Sequence, residues 1–150
     1  MKALTRYCSD QGEFGGYHYI DLPAPECGPD DIVIKLKAAA ICGADMKHWY
    51  ADLNNENHST ELDSIRGHEF AGVIVKVGEN VKKWHVGQRI VSDNSGQACG
   101  ECPACEQGDF MLCEHKSGLG LDHNYKVFGG SGGFTKYAKI PGEILKLHPH

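Results

Sequence analysis

Two groups of side chains in this sequence have the types and spacing that metal chemistry needs. Cys99, Cys102, Cys105 and Cys113 form a C-x2-C-x2-C-x7-C run. Four thiolates that reach one ion satisfy the tetrahedral, soft-ligand preference of zinc and leave no position open, as a structural site requires. An iron–sulfur cluster is the nearest rival, but the ferredoxin run wants its fourth cysteine at 109, followed by proline, where this chain has Asp109 and Phe110. The second group is looser and comprises Cys42 and the adjacent pair His68 and Glu69. A cysteine at the end of a strand is rigidly held yet able to face a cleft, and a nearby cation keeps its thiol deprotonated. Taken alone, Cys42 reads as an inert buried thiol and His68–Glu69 as a half-buried histidine beside a solvated carboxylate. Together they read as ligands.

The elements that must position these groups are mostly strands. Val73, Val75 and Val77 alternate with Ile74 and Lys76, so a strand with one buried face follows His68. Neighbours in an extended segment point to opposite sides, so His68 and Glu69 need not both touch one ion, and one could ligate while the other waits. Gly67, Gly72 and Gly78 mark places where the backbone turns or another segment comes close. Strands are predicted over Lys2–Cys8, Tyr17–Leu22 and Asp31–Ala38, with Ile32, Ile34, Leu36 and Ala38 on one face of the third. Cys42 opens a short helix whose apolar face is Met46, Trp49 and Tyr50, spaced i, i+3, i+4. Residues 51–64 read as an exposed loop in which His58 is solvated. Val86–Ser92 reads as a turn and a short strand, with Trp84 a core or interface anchor. The glycines at 129, 130, 132 and 133 match no phosphate-cradling motif and read as a turn before a strand. Cys8 and Cys27, without partners at ligand spacing, read as small hydrophobes.

Composition narrows the class. At 150 residues and 41% hydrophobic, the chain suits one domain that buries roughly 70% of its unfolded surface. The net charge of −5 and the absence of any Lys/Arg block argue against nucleic acid or an anionic membrane as partner. No apolar run approaches a membrane span, and the first residues have no signal-peptide core, so a cytoplasmic protein is expected. Seven cysteines, four of them clustered, point to metal rather than disulfides in that compartment.

The order of these features, namely Ile41-Cys42-Gly43-x-Asp45, Gly67-His68-Glu69-x2-Gly72-x5-Gly78, the four-cysteine lobe and Gly133-Phe134-Thr135-Lys136-Tyr137, resembles the N-terminal catalytic domain of zinc-dependent medium-chain alcohol dehydrogenases. Within that family it is most similar to the sorbitol, threonine and related polyol dehydrogenases. The resemblance implies a mainly β, GroES-like irregular barrel over residues 1–150, with short helices and a zinc-bound lobe at about 95–117. It implies Cys42 and His68 as catalytic-zinc ligands with Glu69 beside them, and Cys99, Cys102, Cys105 and Cys113 around a structural zinc. Asp45 would orient the ring of His68. The family usually carries Ser or Thr where this chain has Ala44, and often His where it has Lys47, so His48 or water becomes the candidate proton relay. The implied activity is oxidation of a secondary hydroxyl of a small alcohol or polyol, with hydride passed to NAD or NADP in a homo-oligomeric full-length parent. A further zinc ligand and the Rossmann domain lie after the matching region in that family, so the 150 residues alone are expected to be inactive. A non-catalytic zinc-binding module is the alternative.

Overall fold

Strands are the main regular structure of this chain, and the computed structural model describes residues 1–8, 14–53, 65–92, 98–115, 132–142 and 147–149. In chain order these hold β1 (Lys2–Cys8), β2 (Phe14–Asp21), β3 (Asp31–Ala40), α1 (Gly43–Leu53), β4 (Glu69–Val77), β5 (Arg89–Ser92), α2 (Pro103–Glu106), a 3-10 turn (Phe110–Leu112), β6 (Tyr137–Pro141) and β7 (Leu147–Pro149). The fold is mainly β with short helices, as expected. Among the described residues the strands form two sheets, an antiparallel pair β1–β2 and a five-stranded sheet ordered β6-β3-β4-β5-β7. Isolated bridges Ala3–Thr135 and Thr5–Ile65 join the two. No helix among the described residues is long and apolar enough to cross a membrane.

The core lies on one face of the larger sheet. Ile32, Ile34, Phe70, Ile74, Ile90, Ala138 and Ile140 pack there with Val81 and Trp84. Each large aliphatic side chain buried this way stabilises the fold by about 1.5–3 kcal/mol. Trp84 is a core anchor, its indole N–H donating to the carbonyl of Gly142 at 2.9 Å.

Two expected patterns change. Ile32, Val33 and Ile34 are all buried while Ala38 is exposed, because register shifts against β4 between Val33 and Ile34 and between Leu36 and Ala38 interrupt the alternation. The apolar face of α1 does not enter the core either: Met46, Trp49 and Tyr50 remain 43%, 37% and 60% exposed. Trp49 instead stacks on Tyr17 of β2, ring centroids 5.0 Å apart. The helix therefore walls a cleft.

Residues 65–67, which feed β4, are pinned on two sides. The Arg66 N–H donates to the Leu4 carbonyl at 3.4 Å, and the Arg66 carbonyl accepts from Phe134 N–H at 2.9 Å. Gly133 N–H donates to the Gly67 carbonyl at 2.6 Å. Gly67 has φ +92°, and a Cβ there would stand 2.8 Å from the Phe134 ring, so only glycine allows this turn without strain. The residue after it is His68.

Candidate functional site

Three structural decisions bring Cys42, His68 and Glu69 together. β3 ends at Ala40 and the chain turns into α1 through Cys42; the Gly67 turn delivers His68; β4 begins at Glu69. Their ligand atoms all lie within 4.8 Å of one another. His68 and Glu69 can face the same place because His68 precedes the strand and follows a left-handed residue, so the extended alternation that would separate them has not started.

His68 is fully buried, and among the described residues neither ring nitrogen has a hydrogen-bond partner. Buried polar groups are nearly always paired, and an orphaned one costs about 1–3 kcal/mol. A cation between the imidazole, the Cys42 thiolate and the Glu69 carboxylate removes that cost, and the soft-plus-borderline donor set suits zinc. Asp45 ties the group. Its Oδ2 accepts the Cys42 backbone N–H at 2.8 Å, and its Oδ1 stands 3.7 Å from His68 Nδ1. With Nδ1 turned to the carboxylate, Nε2 is the nitrogen free for an ion.

Sequence reasoning missed Ser92. Its buried hydroxyl donates to the His68 carbonyl at 2.9 Å and accepts the Phe70 N–H at 2.9 Å. It thus fastens the backbone on both sides of Glu69 to β5. Only the tertiary pairing of β4 with β5 reveals this, since a serine at a strand end carries no sequence signal. Ala44 is half-buried and Lys47 exposed. His48 falls within α1, but its side chain lies outside the described residues, as do His58 and Gly129–Ser131.

The four-cysteine lobe closes on itself. Cys99, Cys102, Cys105 and Cys113 have all their sulfurs within 4.8 Å of one another, with Cys113 Sγ 3.5 Å from Cys99 Sγ and Cys105 Sγ 4.0 Å from it. Positive-φ Gly100 and Gly108 turn the chain around the cluster. The thiols are held unequally: a backbone hydrogen bond from Cys105 brings Cys102 down to about 6, whereas burial pushes Cys105 up to about 12. Four clustered sulfurs cannot all ionise unaided, and a divalent cation is what lets them. Cys27 is different. It is half-buried, donates to the Asp31 carbonyl at 3.3 Å, and burial raises its pKa, which fits an inert thiol.

Comparison with known proteins follows the same lines. The alcohol dehydrogenase GroES-like domain matches residues 28–149. The chain is 61% identical over 150 residues to an uncharacterised zinc-type alcohol dehydrogenase-like protein, YdjL, of Escherichia coli (strain K12), covering 100% of this chain and 39% of that protein. It is 38% identical over 131 residues to a D-arabitol-phosphate dehydrogenase of Enterococcus avium, covering 87% of this chain and 34% of that one. Among solved structures, an alcohol dehydrogenase (rspB) of Escherichia coli CFT073 complexed with NADH superposes with a TM-score of 0.73 at 29% identity, over 99% of this chain and 38% of that chain. The chain thus spans about a third to just under two fifths of the length of these relatives.

Proposed function

The chain belongs to the alcohol dehydrogenase GroES-like domain family, and from that premise we propose that it is the substrate-activating part of a zinc-dependent, NAD(P)-linked oxidoreductase acting on a secondary hydroxyl of a polyol or sugar derivative. The observation that carries the proposal is the convergence of Cys42, His68 and Glu69 around a fully buried, unpartnered imidazole. Cys42, His68 and Glu69 would hold the catalytic zinc, and Cys99, Cys102, Cys105 and Cys113 a structural one. When bound, the catalytic ion supplies Lewis acidity that lowers the proton affinity of a substrate hydroxyl.

This chain's own residues do the rest. Asp45 accepts the Cys42 backbone N–H and stands 3.7 Å from His68 Nδ1, a carboxylate that favours the Nδ1–H tautomer and so leaves Nε2 for the ion. Ser92 holds the His68 and Phe70 backbone, and with it the position of Glu69. The stacked Trp49 and Tyr17 with Met46 form an apolar wall that limits water at the site. The relatives named for alcohol and D-arabitol-phosphate oxidation support this substrate class, and the NADH complex of a structural neighbour supports a nicotinamide acceptor.

The test uses the full-length protein. His68→Ala is expected to keep the lobe's zinc, lose the other equivalent, and abolish NAD(P)-dependent polyol oxidation. A variant that keeps both zinc ions and turns over normally removes His68 from the centre.

A further inference from the structure

Arg66 is 3% exposed, and among the described residues none of its three guanidinium nitrogens has a hydrogen-bond partner. No ion pair within 4 Å is formed by it among those residues either. This is an unusual arrangement. A guanidinium cannot shed its proton to escape burial, and a buried charge without a partner costs several kcal/mol. Among the described residues nothing supplies the counter-ion, which leaves that place open to a bound anion.

The position says what that is. Arg66 lines a cavity of about 190 Å³ together with Ile41, Asp45, Met46, Trp49 and Phe134. Asp45 is the residue that faces His68, so the cavity opens beside the candidate zinc centre. Asp45 cannot neutralise the arginine, because its two oxygens are turned to the Cys42 N–H and the His68 ring. Arg66 is also two residues before His68, a backbone span of at most about 7 Å. Arg66 and Asp45 border the same cavity and Asp45 stands 3.7 Å from His68 Nδ1, so an anion held in that cavity lies on the Asp45 side of the centre. The backbone of Arg66 is clamped by Leu4 and Phe134, so the side chain springs from a fixed point, and a guanidinium fork suits bidentate binding of a carboxylate or phosphate.

We propose that Arg66 binds an oxyanion, a carboxylate or a phosphate monoester, at one end of the substrate, and so makes the enzyme selective for acidic polyols over neutral ones. The inference rests on the functional reading above for its substrate class, but binding of the anion is measured separately from turnover.

The binding arm follows the thermal midpoint of the zinc-loaded full-length protein with added inorganic phosphate or malonate, at constant ionic strength. Whichever anion matches the site raises the midpoint of the wild type, and Arg66→Met abolishes the rise. Removing an unpaired buried charge leaves the ligand-free midpoint of Arg66→Met equal or higher. The kinetic arm compares kcat/KM for a polyol, its phosphate monoester and its aldonate. The preference for the matching acidic substrate falls by about 10- to 100-fold in Arg66→Met, the loss expected for charge-assisted hydrogen bonds. Should Arg66→Met fail to fold, Arg66→Lys replaces it, and the anion-dependent rise must shrink there.

Equal shifts in wild type and variant, or no shift from either anion, overturn the proposal. Anion binding that depends on Arg66 without oxidation of any polyol supports the site and overturns the functional reading instead. Turnover with no anion preference does the reverse.

Discussion

Ser92→Ala removes one oxygen atom and breaks both fastenings of the β4 entrance. The hydroxyl is buried, donates to the His68 carbonyl and accepts the Phe70 N–H, each at 2.9 Å. Alanine fills nearly the same space, so no cavity follows, and the cost is that of two buried backbone groups left without partners. Each such group costs about 1–3 kcal/mol. With partial relaxation of the strand end, a loss of about 2–3 kcal/mol is expected. For a chain of this length that lowers the thermal midpoint by about 4–12 °C. The assays are a thermal melt and urea denaturation of the zinc-loaded protein, and in urea the midpoint falls at constant slope because the surface exposed on unfolding is unchanged. Ser92→Thr keeps the hydroxyl and recovers most of the loss. Because the released backbone carries His68, Ser92→Ala also weakens zinc at the Cys42–His68–Glu69 centre while leaving the four-cysteine lobe loaded. A midpoint within about 2 °C of wild type, with both zinc ions retained, would refute the assignment of Ser92 as the residue that holds His68 in place.

Three more outcomes are expected. Cys105→Ser releases one zinc per chain and exposes residues 98–115 to protease, since a closed site contributes its binding energy to local folding; retained zinc and protection would count against a structural site there. Gly67→Ala loses about 2 kcal/mol or more in equilibrium unfolding, because φ +92° strains an L-residue and its Cβ meets the Phe134 ring at 2.8 Å; an unchanged midpoint would contradict the described turn. Ala44→Ser, which restores a hydroxyl two residues after Cys42, raises turnover or shifts the pH–rate profile in the full-length protein; superimposable profiles would show that proton relay is not limited there.

How legible each part was depended on how local its cause is. The four-cysteine site could be read from spacing because all its ligands lie in one short run, so chain geometry alone brings them together. Gly67 and Gly78 were readable as close approaches because glycine is selected by backbone needs, and the neighbours they admit are Phe134 and the carbonyls of residues 28 and 29. The grouping of Cys42 with His68 and Glu69 was legible only through the order of the motifs, since these ligands lie far apart in the chain and the end of β3 and the start of β4, not local spacing, bring them together. Arg66 and Ser92 were missed for a different reason. A lone arginine is ordinarily a solvated charge and a lone serine a strand-end filler, and only packing against β1, residues 133–134 and β5 gives them meaning. The exposed face of α1 likewise obeyed helical spacing while serving a cavity instead of the core.

The sheet core and the cysteine lobe share no residue among those described: one is built from Ile32, Ile34, Ile74 and their neighbours, the other from Cys102, Cys105 and Cys113 with Ala98, Ala104 and Phe110. Two cores on one chain need not melt together. The lobe has too little apolar surface to stay closed unaided, so its opening free energy is set by zinc and by the redox state of its thiols, whereas that of the sheet is set by hydrocarbon burial. Chelation or oxidation therefore acts as a local unfolding event, with amides of 98–115 exchanging quickly while those of β3 and β4 stay protected. A heating curve of the metal-depleted chain then contains only the transition of the sheet.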